Sequence, residues 1–119
     1  MKIEPADVPG PDPALTSAQF HILLTLADGD RYGYGIIREI ERRTDGVVDL
    51  GPGTLYRSVK QLLERKLIIE VDSDYMARQQ RRSYALTPEG RTRAAAEARR
   101  LQSLVRWATD AMALEGGQP

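Results

Sequence analysis

Between Leu50 and Ile69 the chain reads LGPGTLYRSVKQLLERKLII, a stretch with two faces. At about 100° per residue, Leu55, Val59, Leu62 and Leu63 gather on one side of a helix, while Arg57, Lys60, Gln61 and Glu64 gather opposite. One face packs; the other presents long hydrogen-bonding side chains. Gly51, Pro52 and Gly53 mark the start, since proline in a first helical turn gives up only an N–H that would be unpaired anyway, and the end is expected near Lys66. Leu67 to Asp72 then reads as a strand, Ser73 to Gln80 as a polar connection, and Arg82 to Leu86 as the returning strand of a hairpin. A two-faced helix followed by an arginine-bearing hairpin is the order expected of a winged helix that reads DNA.

Two helices are expected before it. Thr16 and Gln19 stand at capping-box spacing, opening a helix through Phe20, Ile22, Leu23, Leu24 and Leu26. Its apolar residues run almost all the way round, so two surfaces must cover it. A second helix is expected from about Tyr34 to Thr44, with Ile36, Ile37 and Ile40 inward and Asp45 with Gly46 closing it. After the hairpin, Thr87 is placed as N-cap and Pro88 at the first position of a last helix. Along that helix Ala94, Ala98, Leu101, Val105, Ala108 and Met112 follow a heptad-like stripe, with Leu104, Trp107, Ala111 and Leu114 beside it. So broad an apolar face wants a partner surface. The expected partner is the same helix, or the first helix, of a second subunit, with Phe20, Leu24, Leu101, Leu104, Val105, Trp107, Ala108 and Met112 at the interface.

The fold class that follows is mainly α with a small β-hairpin: a winged helix-turn-helix with a C-terminal dimerisation helix. Residues 1–14, with Pro5, Pro9, Pro11 and Pro13, read as a flexible tail. Residues 15–87 read as the DNA-binding domain, 88–114 as the dimerisation helix and 115–119 as a second tail. The chain has 119 residues, enough for one modest core. It has no cysteine, which removes disulfides, thiolate metal sites and cysteine nucleophiles together. No apolar run is long enough to span a bilayer, so a cytoplasmic location without membrane contact is expected.

A net charge of zero argues against binding phosphates, but the charge is unevenly distributed. Residues 1–30 hold one basic residue against five acidic, whereas 31–110 hold sixteen against eleven. Within 75–100 seven arginines face only Glu89 and Glu97, a local excess that reads as a basic patch.

On the two-faced helix Arg57 and Gln61 point furthest from the apolar side, where arginine can pair with guanine and glutamine with adenine. Lys60, on the flank, suits a phosphate, and Thr54 lies near a helix N-terminus that favours anions. Tyr56 lies between the faces and can either touch the DNA backbone or pack. In the hairpin, Arg78, Arg81 and Arg82 are candidates for phosphate or minor-groove contact, or for protecting an edge strand by charge. Strand alternation puts Arg82 and Tyr84 on one face, Arg81 and Ser83 on the other. His21, the only histidine, has no nucleophile or acid set around it and reads as a core or interface residue. No enzyme, metal site or cofactor is expected. A winged-helix module that binds protein without reading DNA sequence is the alternative function.

Four segments in this order, YGYGI at 32–36, GPGTLY at 51–56, the leucine-rich 62–68 and RSYALTPEG at 82–90, resemble the PadR family of bacterial transcriptional regulators, in its shorter form with a single C-terminal dimerisation helix. The resemblance covers about residues 15–114 and implies a homodimeric repressor of a palindromic operator, often released by a small hydrophobic effector. It also implies an effector position near the dimer interface, where Trp107 is the candidate contact. Gly35, where the family usually has a polar residue, departs from the pattern, so a late or frayed start of the second helix is expected; residues 76–80 lack the glycine common at the family's wing tip, which leaves the type of the wing's turn open.

Overall fold

A computed structural model of the chain describes residues 14–71 and 82–112. Four helices and three short strands follow one another: α1 (Ser17–Thr25), β1 (Arg31–Tyr32), α2 (Gly33–Arg43), α3 (Pro52–Glu64), β2 (Ile68–Val71), β3 (Ser83–Leu86) and α4 (Pro88–Met112). Residues 72–81, which include the connection at 73–80, lie outside the described residues, as do 1–13 and 113–119.

The capping box at the head of α1 is formed. The Thr16 hydroxyl accepts from the Gln19 amide at 3.0 Å, and the Gln19 side chain accepts from the Thr16 amide at 3.0 Å. Ile22, Leu23 and Leu26 are buried where α1 meets α2, α3 and α4, which answers the nearly all-round apolar pattern. Leu24 is left half exposed. Ile36 and Ile40 of α2, Leu55, Val59 and Leu62 of α3, and Ile68 of β2 complete the core.

Helix α2 begins at Gly33, so Gly35 delays nothing. Its end follows the turn expected at Asp45 and Gly46: both have positive φ, and the Gly46 and Asp45 amides reach back to the carbonyls of Glu41 (2.8 Å) and Arg42 (3.4 Å). Helix α3 closes in the same way, with the amides of Lys66 and Leu67 donating to Leu63 and Leu62, each at 3.0 Å. There the left-handed position is taken by Lys66, at φ 62°.

The hairpin proves to be two-thirds of a three-stranded antiparallel sheet, ordered β1-β3-β2. The two residues of β1 are too few for alternation to show in a sequence. Arg82, just before β3, is exposed, while Ser83 and Tyr84, successive residues of that central strand, are both buried, so both faces are covered at this point; Ser83 lies between Tyr32 and Val71, and Tyr84 between Arg31 and Glu70.

Two polar knots fix how these pieces meet. Thr87 caps α4 by accepting from the Gly90 amide at 2.9 Å, while its own hydroxyl lies 2.8 and 3.0 Å from the carbonyls of Lys66 and Leu67. Gly90 is buried so closely there that a Cβ would strike the Leu67 carbonyl. At the other end of the sheet, Arg31 donates through Nε to the Thr25 carbonyl at 2.7 Å and turns Nη2 toward Asp28 and Glu39. Glu39 also accepts from Arg42 and Arg43, both at 2.7 Å, and the hydrogen bonds from Arg42 and then Arg43 hold its carboxyl down to about pKa 2.

Three outcomes are expected. Gly90→Ala forces the helix away from a rigid carbonyl and should destabilise the chain by about 1–3 kcal/mol in chemical denaturation. Lys66→Gly relieves a side chain held in the left-handed region and should stabilise it by about 0.5–1 kcal/mol, despite removing a surface charge. For Glu39, folding lowers the carboxyl's pKa, so its stabilisation is complete above the unfolded value of 4.5 and disappears as pH falls through about 2. The gap in melting temperature between the wild type and Glu39→Gln should therefore be constant above pH 4.5 or so and close below it.

Candidate nucleic-acid interface

Leu55, Ser58, Val59 and Leu62 turn one side of α3 into the core and leave Arg57, Lys60, Gln61 and Glu64 exposed on the other. Gly51, the N-cap, offers no side-chain hydrogen bond, and Pro52 occupies the first turn. The amides of Gly53 and Thr54 therefore have no partner inside the helix, which favours an anion at this end. Thr54 is part-buried there and Tyr56 is 51% exposed beside it.

The exposed face is not uniformly available. Lys60 lies 3.9 Å from Glu64 in a solvent-facing pair, a weak restraint. Gln61 is more firmly engaged: its Oε1 accepts from Nε2 of Gln19 at 2.9 Å. Gln19 is buried and already caps α1 with its other atom, so one side chain fixes the start of α1 and ties α1 to the outer side of α3. Sequence reasoning found Gln19 as a cap and missed this second bond, which joins positions 42 residues apart. Arg57 is thus the long cationic side chain of α3 that no ion pair among the described residues engages.

The sheet stands at the other side of this surface. Arg82 is exposed and lies 3.7 Å from Glu70 across the β2–β3 ladder. Arg78 and Arg81 lie outside the described residues. Burial raises the pKa of the Tyr84 hydroxyl, with the Glu70 charge and the Tyr56 hydroxyl raising it further, so Tyr56, Tyr84 and Glu70 form one neighbourhood linking α3 to the sheet.

The basic patch read from residues 75–100 is smaller in space than in sequence. Arg91 donates to the Ala27 carbonyl at 3.0 Å, and Arg93 and Arg100 flank the buried Glu97, whose carboxyl accepts from Arg100 at 2.6 Å. Those hydrogen bonds from Arg100 lower the pKa of Glu97 despite its burial. Helical geometry sets Arg93 and Arg100 beside Glu97 within α4, and tertiary packing sets Arg91 against the chain just after α1, neither of which the linear charge count sees.

Leu104, Val105, Trp107 and Met112 of α4 are exposed by 43–69%, Ala108 is exposed, and Leu101 is half-buried. Phe20 of α1 joins Ala98, Leu101 and Val105 in lining an open groove of about 760 Å³. His21 hydrogen-bonds within its own helix, at 2.7 Å from the Ser17 carbonyl. Among the described residues no cluster could hold a metal ion, and no helix is long and apolar enough to cross a membrane.

A helix-turn-helix whose third helix stands exposed next to an antiparallel hairpin defines a winged-helix protein. Residues 22–96 match the Transcriptional regulator PadR-like family, and the chain belongs to that family of regulators, whose members are not enzymes. Among solved structures, a transcriptional regulator from Clostridium thermocellum is 26% identical, with 77% of this chain and 89% of that one covered at a TM-score of 0.69. A PadR family transcription regulator from Clostridium difficile is 22% identical, with 83% and 100% covered at 0.67. Bacillus subtilis PadR, solved with operator DNA, is 18% identical and shares the fold at 0.63, with 70% and 47% covered. No curated protein matches.

Proposed function

We propose that the chain is a sequence-specific DNA-binding repressor that acts as a homodimer on a palindromic operator. The observation that carries this reading is the exposed side of α3, where Arg57 lies one helical turn from the unpartnered N-terminal amides of Gly53 and Thr54, on a helix that packs against β2. In this reading Arg57 reads a base edge, and Thr54, Tyr56 and Lys60 hold phosphates together with Arg78, Arg81 and Arg82 of the wing. Gln61 reads through its Nε2, since its Oε1 is committed to Gln19. Bacillus subtilis PadR, which shares this fold, was solved in complex with operator DNA, and this supports DNA as the partner here.

Residues 15–87 form the DNA-binding part and 88–114 the dimerisation helix. The exposed Leu104, Val105, Trp107 and Met112 support dimerisation, because a row of large apolar side chains is costly to leave in water. A second copy covers them together with Phe20, Leu24, Leu101 and Ala108. Trp107 is the candidate contact for a planar hydrophobic effector that releases the operator.

The test is a gel-shift titration on a duplex selected by the wild-type chain from a random pool, with the mass of the unbound protein measured in parallel. Binding should weaken steeply with salt, Arg57→Ala should cost about 1–3 kcal/mol and relax selectivity at one position, and Lys60→Ala should lower the salt slope by about 1. A recovered palindrome and a dimer mass are expected. Binding indifferent to sequence and salt, or a stable monomer at micromolar concentration, would refute the reading.

A further inference from the structure

We infer that Gly33 is the positioning residue for Tyr56: the missing side chain at the first position of α2 is the seat on which the Tyr56 phenol, carried by α3, comes to rest. Gly33 is buried, and a Cβ placed on it would lie 2.5 Å from the Tyr56 hydroxyl oxygen, 3.0 Å from Cζ and 3.2 Å from Cε1. Its backbone φ is ordinary, so the requirement for glycine comes from the tyrosine and not from the chain's own conformation. The seat also lies at a junction. Tyr32, the preceding residue, pairs with Ser83 in the sheet, and the buried Tyr84 next to it feels the Tyr56 hydroxyl. One contact therefore sets Tyr56 of α3 relative to both α2 and the wing's sheet.

The way such a clash resolves separates positioning from stability. The obstructing atoms belong to the far end of a half-exposed side chain, which can swing into solvent, whereas the equivalent obstruction at Gly90 is backbone. Gly33→Ala should leave the fold nearly intact and move Tyr56. A phenol that donates to a phosphate oxygen depends on its position, since hydrogen bonds weaken steeply with misalignment. This inference rests on the proposed DNA-binding function.

The experiment is a double-mutant cycle on the full chain, with Gly33→Ala, Tyr56→Phe and the combination titrated onto the duplex that the wild type selects from a random pool. Removing the hydroxyl removes the nearest obstruction. Gly33→Ala should weaken binding about tenfold beside Tyr56 but no more than about twofold in the Tyr56→Phe background, with melting temperatures of all four chains within about 3 °C. Equal losses in both backgrounds, or a loss of binding that tracks melting temperature, would overturn the positioning role while leaving DNA binding standing. If the wild type selects no duplex, the DNA-binding function fails and the role given to Gly33 fails with it.

Discussion

Everything on the outer surface depends on the burial of Leu55, Val59 and Leu62 beneath α3. These side chains meet α1 and α2 in the core, and burying each contributes about 1.5–3 kcal/mol relative to exposure. Because 3.6 residues make a turn, fixing those three positions fixes Arg57, Lys60 and Gln61 on the opposite side. The apolar face thus orients the polar one, and the Gln19–Gln61 hydrogen bond adds a restraint on its flank.

The polar interactions then set angles between elements that packing alone leaves loose. Gln19 joins the start of α1 to the flank of α3, Thr87 joins the end of α3 to the start of α4, and Arg31 with Glu39 joins α1, β1 and α2. Each uses a side chain to occupy backbone or amide groups that would otherwise be orphaned near the core. The arginines of α4 follow the same logic: those beside Glu97 and Ala27 are spent within the molecule, and the interface is left with fewer cations than the composition suggests.

Much of this fold was legible before any coordinates. The helices came from 3.6-residue periodicity, their ends from Thr16, Pro52, Asp45, Gly46 and Thr87, and the winged-helix class from their order. The site was legible only in part. Arg57 and Lys60 followed from a face, but the engagement of Gln61 could not, because its partner is 42 residues away and glutamine carries no signal of which amide it will meet. Nor could β1, whose two residues form a strand only because Ser83 and Tyr84 offer them ladder hydrogen bonds.

By itself, then, the sequence determined the local elements and the side of each helix that faces inward, since both depend on spacing along the chain and on the cost of exposing apolar surface. The tertiary structure decided which cations remain available, which glycine is obligatory and where Tyr56 sits. Those outcomes turn on distances between residues remote in the chain, such as the side-chain hydrogen bond at 2.9 Å between Gln19 and Gln61 or the close approach of the Leu67 carbonyl to Gly90.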